Sequence, residues 1–66
     1  MKNTVRVQRA ILNITQADLA ERINVSRQTI NAIESNKYVP STILALKIAR
    51  VFTTSVEAIF TLEPDD

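Results

Sequence analysis

Four polar side chains lie within five consecutive positions near the middle of the chain: Arg27, Gln28, Thr29 and Asn31. A guanidinium group can pair with two acceptors on the edge of guanine, and a carboxamide can pair in the same bidentate way with adenine. Hydroxyl groups and further carboxamides bind base edges or backbone phosphates. This set of residues therefore indicates contact with the major groove of double-stranded DNA.

Two short amphipathic helices, separated by a tight turn at Asn24-Val25, have to hold these side chains in place. Thr15 is suited to accept from the free N–H groups at the start of the first helix, and Asp18 completes a capping box. Ser26 caps the second helix in the same way. The apolar residues fall on one face of each helix, Leu19, Ala20 and Ile23 in the first and Ile30 and Ile33 in the second. This layout predicts a helix-turn-helix over about residues 16–35.

Three further helical patterns surround this pair. The first covers about Thr4 to Leu12, and another runs from Thr42 to about Phe52 after a loop that contains Pro40. Ser55 caps a short last helix. Five helices with short connections predict a compact all-α domain that spans residues 1–66. Residues 61–66, together with the first few residues, either form a short strand pair or stay disordered.

The helix ends carry asparagine instead of glycine, which is absent from the chain. Asn13, Asn24 and Asn36 stand where three helices end, and asparagine tolerates the left-handed conformation that closes many helices. The fourth helix is followed by Thr53-Thr54. Because a β-branched residue is strained in that conformation, we expect the fourth helix to end by another geometry.

Apolar residues cover most of the circumference of the fourth helix, which predicts burial on more than one side. In so small a domain the second partner is expected to be another copy of the chain, bound through about residues 42–62. The alternative is that Ile59 and Phe60 complete the core of a single copy. Ile11 on the first helix is either an exposed hydrophobic residue without function or part of a contact surface. The predicted dimer interface contains Ile43, Leu44, Ile59, Phe60 and Leu62.

Composition argues against several classes of protein. The 66 residues include no cysteine, histidine or glycine, so the usual nucleophile-base pairs, thiolate metal sites and phosphate-binding loops are missing. We therefore expect no enzyme activity, no metal site, no cofactor and no site for a small-molecule effector. Without an apolar run of membrane-spanning length, a soluble cytoplasmic protein is the expectation. Residues 1–50 carry eight basic and three acidic groups (+5), and residues 51–66 carry four acidic groups (−4). The basic part contains the predicted helix-turn-helix. Because phosphate repels carboxylates, the acidic end is expected to lie away from DNA.

A family resemblance rests on three segments: TQADLAERINVSRQTINAIESNKY, PSTILALKIARVF and SVEAIF. The chain resembles the phage repressor and Cro (XRE-type) family of DNA-binding domains, and among these the short stand-alone regulators of the cytolysin-operon repressor type. The resemblance covers about Val5 to Phe60 and implies a lambda-repressor-like fold.

The resemblance also implies roles for individual residues. Arg27, Gln28 and Asn31 match positions that face the groove, and we expect them to read bases. Arg9 and Glu34 match an ion pair that links the first helix to the recognition helix. Residues expected to contact phosphate or to position the protein are Gln16, Ser26, Thr29, Lys37 and Tyr38. Ala32 departs from the family, since some members carry a longer polar side chain there; its methyl group touches either a thymine methyl or nothing.

These expectations combine into a homodimeric repressor whose two recognition helices read an inverted repeat in successive major grooves, about 34 Å apart. Activation instead of repression would depend on where the operator lies. An antitoxin-like module that binds a protein partner and contacts DNA incidentally is the alternative.

Overall fold

The computed structural model describes all 66 residues. Five helices are flanked by two short strands, so the predicted compact all-α class is confirmed, together with the strand pair at the chain ends. No helix combines the length and the apolar character that crossing a bilayer requires. In chain order the elements are β1 (Lys2–Asn3), α1 (Val5–Leu12), α2 (Gln16–Arg22), α3 (Arg27–Glu34), α4 (Thr42–Val51), α5 (Val56–Ile59) and β2 (Phe60–Thr61).

Side-chain caps open four of the helices. The capping box of α2 is complete, because the Thr15 hydroxyl accepts from the Asp18 N–H at 3.0 Å and the Asp18 carboxylate accepts from the Thr15 N–H at 3.0 Å. Ser26, Ser41 and Ser55 each accept from the N–H three residues further on. These contacts confirm the predicted caps and fix the boundaries of α2, α3, α4 and α5.

Left-handed residues follow the helices as predicted in three places and against prediction in one. Asn13, Asn24 and Asn36 have φ values of 57°, 61° and 61°. Thr53 also has a positive φ of 52°, so the expectation of another geometry at the end of α4 was wrong. A β-branched residue is rare in this region, and the conformation costs it free energy.

The hydrogen bonds after α4 offset the strain at Thr53. Its N–H donates to the Arg50 carbonyl at 3.2 Å, and the Thr54 N–H donates to the Ala49 carbonyl at 3.0 Å. Both carbonyls belong to the last turn of α4, where they lack partners within the helix. The left-handed residue therefore satisfies the end of α4 and turns the chain directly into α5.

Thirteen apolar side chains form one core. Most come from the apolar faces of α2, α3 and α4. The helix α1 contributes Val5 but leaves Val7, Ile11 and Leu12 at least 44% exposed. The buried set is Val5, Leu19, Ala20, Ile23, Ile30, Ile33, Leu44, Ala45, Ile48, Ala49, Phe52, Ile59 and Phe60.

The strand pair ties the two ends of the chain together. β1 and β2 are antiparallel, with Lys2 opposite Thr61 and Asn3 opposite Phe60. The Met1 ammonium lies 3.1 Å from a Glu63 carboxylate oxygen and 3.0 Å from an Asp66 carboxylate oxygen. Hydrogen bonds to these two carboxylates raise the pKa of the Met1 ammonium.

Candidate nucleic-acid interface

The outer face of α3 carries the three side chains that were predicted to read bases. Arg27, Gln28 and Asn31 are all exposed, whereas Ile30 and Ile33 on the opposite side are at most 1% exposed. Since residues three and four apart share a helix face, burial of this apolar pair turns the polar set outward. We call the exposed face with these three polar residues the reading face.

An ion pair holds α3 against α1. The Arg9 guanidinium donates to Glu34 through Nε to Oε2 at 2.6 Å and through Nη2 to Oε1 at 3.0 Å. Its Nη1 donates to the Ile14 carbonyl at 3.1 Å. The Glu34 side chain is 1% exposed and that of Arg9 is 16% exposed. A bidentate contact of this kind fixes both position and orientation, so the pair sets how α3 lies on α1.

Glu34 stays ionised although it is enclosed. Burial by itself would raise the pKa of Glu34, but hydrogen bonds from Arg9 and Gln16 and the charges of Arg9 and Arg6 outweigh it and lower that pKa. The hydrogen bond to Glu34 raises the pKa of Arg9. Both groups are therefore charged at neutral pH, and each depends on the other for compensation.

Gln16 connects this buried pair to the reading face. Its Nε2 donates to Glu34 Oε1 at 3.1 Å and lies 3.3 Å from Asn31 Oδ1, to which it also donates. Its Oε1 accepts from Arg27 Nη1 at 3.5 Å, a long contact. One carboxamide thus joins the first residue of α2 to two exposed side chains of α3. This arrangement restricts the orientations of Arg27 and Asn31 before any ligand binds.

Comparison with known proteins agrees with this geometry. The family model HTH_3, described as helix-turn-helix, matches residues 5–59. The chain belongs to the helix-turn-helix family. The match contains α1 to α5, so it covers both the reading face and the Arg9–Glu34 pair. The resemblance to XRE-type domains is thereby confirmed.

Relatives of almost the same length occur in archaea and bacteria. The HTH-type transcriptional regulator MJ0272 of Methanocaldococcus jannaschii is 53% identical over 66 residues, which is 100% of both chains. YgzD of Bacillus subtilis, also named as an HTH-type transcriptional regulator, is 46% identical with 100% of both chains covered. A regulator of the same description from Methanothermobacter thermautotrophicus is 47% identical over 98% of this chain and 96% of its own length.

The residues expected to contact phosphate surround the reading face. Ser26 is engaged in capping, and its Oγ lies 3.0 Å from the Thr29 hydroxyl oxygen. Lys37 is exposed after α3, where its N–H donates to the Ala32 carbonyl at 2.8 Å. Tyr38 is 45% exposed. The structure thus brings Gln16 into direct contact with two reading residues, pairs Ser26 with Thr29, and leaves the Lys37 side chain free in solvent.

The structure divides the predicted dimer residues into exposed and buried ones. Ile43 and Leu62 are 68% and 77% exposed, but Ile59 is fully buried and Leu44 is 8% exposed. Ile59 packs inward from the short helix α5, and Leu44 of α4 belongs to the same core. Neither side chain has the surface that a second copy would need. Phe60, at 8% exposure, lies on the floor of an open groove.

That groove runs between α4 and α5 and is mostly apolar. Its walls include Val39, which is 66% exposed, and Leu46, which is 56% exposed. Met1, Pro40 and Val56 also line it. We call this the α4–α5 groove. Leu46 and Val56 fall within the dimer region of about residues 42–62 expected from the sequence, whereas Met1, Val39 and Pro40 fall outside it.

Two functional contacts were missed at the start of the chain. The Asn3 side chain donates from Nδ2 to the Ile33 carbonyl at 2.9 Å and to Asn36 Oδ1 at 3.1 Å. It therefore caps the end of α3 from β1. Arg6 Nε lies 3.6 Å from Glu34 Oε1, although its side chain is 75% exposed. The three-residue spacing from Arg9 was a signal for Arg6, whereas nothing local in the sequence indicated Asn3.

Proposed function

We propose that this protein is a homodimeric transcriptional repressor that reads an inverted-repeat DNA operator through the major groove. The observation that carries the proposal is the hydrogen-bonded network from buried Glu34 through Gln16 to Arg27 and Asn31. A network of this kind limits the rotamers of exposed side chains, and this reduces the entropy lost when they bind a base edge. Side chains on a helix face that contacts only solvent gain nothing from restricted rotamers.

Base recognition is assigned to Arg27, Gln28 and Asn31, and positioning on phosphates to the side chains around them. Arginine pairs with guanine and glutamine with adenine through two hydrogen bonds each, which discriminates between base pairs. Contacts to phosphate oxygens fix the register without reading sequence. The positioning set is Gln16, Ser26, Thr29, Lys37 and Tyr38.

Dimerisation is assigned to the α4–α5 groove and the exposed hydrophobics beside it. Ile43, Leu46 and Leu62 are all more than half exposed, and covering them with a second copy removes this apolar surface from water. One copy measures 32 × 22 × 20 Å. Two copies joined by this face are of a suitable size to place their recognition helices about 34 Å apart, one turn of DNA.

The dimer assignment is tested by sedimentation of two matched variants. Leu46→Glu places a charge in the α4–α5 groove, and Ile11→Glu places the same charge on α1, at a side chain that is 71% exposed. We expect Leu46→Glu to be monomeric at concentrations where Ile11→Glu and the unaltered protein are dimeric. A dimer that survives Leu46→Glu but dissociates in Ile11→Glu would place the interface on α1 instead.

Repression is tested by transcription in vitro from a template whose promoter overlaps the bound sequence. A dimer that spans such a site excludes polymerase, so the transcript should decrease as binding saturates. An increase over the same protein concentrations would show activation and would contradict the repressor assignment.

A further inference from the structure

The loop between α3 and α4, residues 35–41, borders two surfaces. Its first half carries Lys37, which is exposed and is assigned above to a DNA phosphate. Its second half carries Val39, which is 66% exposed, and Pro40, which is buried, and both line the α4–α5 groove. Only a few residues separate the two halves. The position of Lys37 over DNA therefore depends on how the wall of the groove is held.

One side chain from a distant part of the chain holds this loop by hydrogen bonds. Asn3 Nδ2 donates to the Ile33 carbonyl at 2.9 Å and to Asn36 Oδ1 at 3.1 Å. The Oδ1 atom of the same side chain accepts from the Val5 N–H at 3.2 Å, which fixes its orientation. The other hydrogen bonds of residues 35–40 go to α3 itself. Asn3 is thus the one hydrogen-bonded link between this loop and the start of the chain.

Asn3 is placed in turn by the strand pair at the proposed dimer surface. It lies opposite Phe60 in the antiparallel pair, and Phe60 lines the α4–α5 groove. The N–H of the next residue, Thr4, donates to the Ile59 carbonyl at 3.0 Å. Strands of two residues have little stability of their own, so their pairing depends on what packs against them. A second copy that covers the groove therefore stabilises the strand pair and the position of Asn3.

We propose that Asn3 is a positioning residue that links dimer formation to the contact with DNA phosphate. Two copies that cover each other's grooves hold the strand pair in place, Asn3 holds the loop after α3, and Lys37 is presented to DNA in a defined position. Such a linkage is reciprocal, so DNA binding favours the dimer by the same factor. This inference rests on the proposed function and adds the path by which its two parts depend on each other.

Amide hydrogen exchange at Asn36 and Lys37 reports how firmly the loop is held. Leu46→Glu is the groove variant of the dimer test, and Ile11→Glu is its control. A neutral hydrogen bond changes a local equilibrium by about fivefold. Where the unaltered protein is dimeric, Leu46→Glu should therefore speed exchange at both amides by about fivefold. Ile11→Glu should leave both exchange rates unchanged.

A second variant shows whether this effect runs through Asn3. In Asn3→Ser the hydroxyl group can still accept from the Val5 N–H, but it is too short to reach the Ile33 carbonyl. Exchange in the loop of this variant should be about fivefold faster at the outset, and adding Leu46→Glu should change it no further. Thr61→Ser alters an exposed residue of β2 and should keep the full response to Leu46→Glu.

Sedimentation of the same samples separates this inference from the proposed function. If Leu46→Glu gives single copies while exchange at Lys37 stays the same, the dimer assignment stands and the link is overturned. A response to Leu46→Glu that persists in folded Asn3→Ser would place the link in Val39 and Pro40, and it would overturn the role of Asn3. If the unaltered protein sediments as a single copy, the dimer assignment fails and this inference fails with it.

DNA binding supplies a second readout. Because Lys37 is assigned to phosphate, Asn3→Ser should weaken binding to the selected operator and to random DNA by the same factor, about fivefold for each copy bound. Lys37→Ala should weaken binding less in the Asn3→Ser background than alone, since the loosened loop has already lost part of that contact. Effects of the two substitutions that simply add would show that Asn3 acts apart from Lys37 and would overturn the proposal.

Discussion

Replacing Glu34 with glutamine tests whether the buried ion pair orients α3. The substitution keeps the shape of the side chain but removes the charge that compensates Arg9, its partner at 2.6 Å and 3.0 Å. Breaking one partner of a buried pair costs roughly 3–5 kcal/mol. The Arg9 side chain is 16% exposed and can recruit water. We therefore expect Glu34→Gln to lower the free energy of unfolding by an amount at the lower end of this range, about 3 kcal/mol.

Urea unfolding followed by circular dichroism measures this loss. A domain of this size is expected to be stable by roughly 3–10 kcal/mol, so about 3 kcal/mol is a large fraction. With an m-value near 1 kcal/mol/M, the midpoint should fall by about 3 M. Glu21→Gln is the matched control, since Glu21 is exposed on α2 and makes no ion pair. It should change the midpoint by less than about 0.5 M.

A double variant separates a lost contact from an unpaired charge. Arg9→Met combined with Glu34→Met removes both charges, and well-packed apolar replacements of buried pairs are often neutral in stability. We expect this protein to unfold at a higher urea concentration than Glu34→Gln alone. If Glu34→Gln loses no more stability than Glu21→Gln, the pair is as weak as a surface contact and the argument for orientation fails.

Three further predictions concern acid, strain and DNA contacts. The stability difference between the unaltered protein and Glu34→Gln should be fully present above about pH 5 and should shrink at lower pH. Because the pKa of Glu34 is lowered in the folded protein, this contribution is lost only as the pH falls through that pKa. A stability difference that stays constant from about pH 7 to 3 would contradict the prediction. Thr53→Asn should raise the free energy of unfolding by about 1 kcal/mol and the Tm by roughly 4–8 °C, because asparagine tolerates the positive φ at this position. The control Thr54→Asn should change neither quantity, and equal Tm values for both variants would show that no strain is stored at Thr53. Arg27→Ala should weaken binding to the selected operator by roughly 1–3 kcal/mol and relax the preference at one base pair. Lys37→Ala should weaken binding to operator and random DNA alike and lower the slope of log affinity against log salt concentration by about 1. Fluorescence anisotropy on both DNAs distinguishes these outcomes, and equal losses on both DNAs for Arg27→Ala would refute its role in base recognition.

Local signals in the sequence were sufficient to predict the helix-turn-helix. At Thr15 and Ser26 a capping side chain, the start of an apolar face and a preceding left-handed asparagine or short turn coincide within a few residues. Each of these features acts over one helical turn, so the sequence alone places them. The reading face follows directly, because once Ile30 and Ile33 are assigned inward, Arg27, Gln28 and Asn31 have to point outward.

The sequence is less informative where competing contacts or distant parts of the chain decide the outcome. Thr53 adopts a strained conformation because the last carbonyls of α4 need donors there, and these hydrogen bonds outweigh its local preference. Ile59 sits in a helix of four residues, too short for periodicity to say which side is buried. Asn3 reaches Ile33 across 30 positions, and the burial of Leu44 depends on how α4 packs on the rest of the core. These contacts depend on packing angles that no short pattern contains.

The central claim is that the exposed face of α3 reads a defined DNA sequence as part of a dimer. The most direct test is selection of bound sequences from a random duplex pool at physiological salt, with the stoichiometry of the best complex measured on the same sample. The account predicts an inverted repeat with half-site centres about one helical turn apart, bound by two chains. A folded protein that enriches no sequence, or that binds a single unrepeated site as one chain, would contradict it.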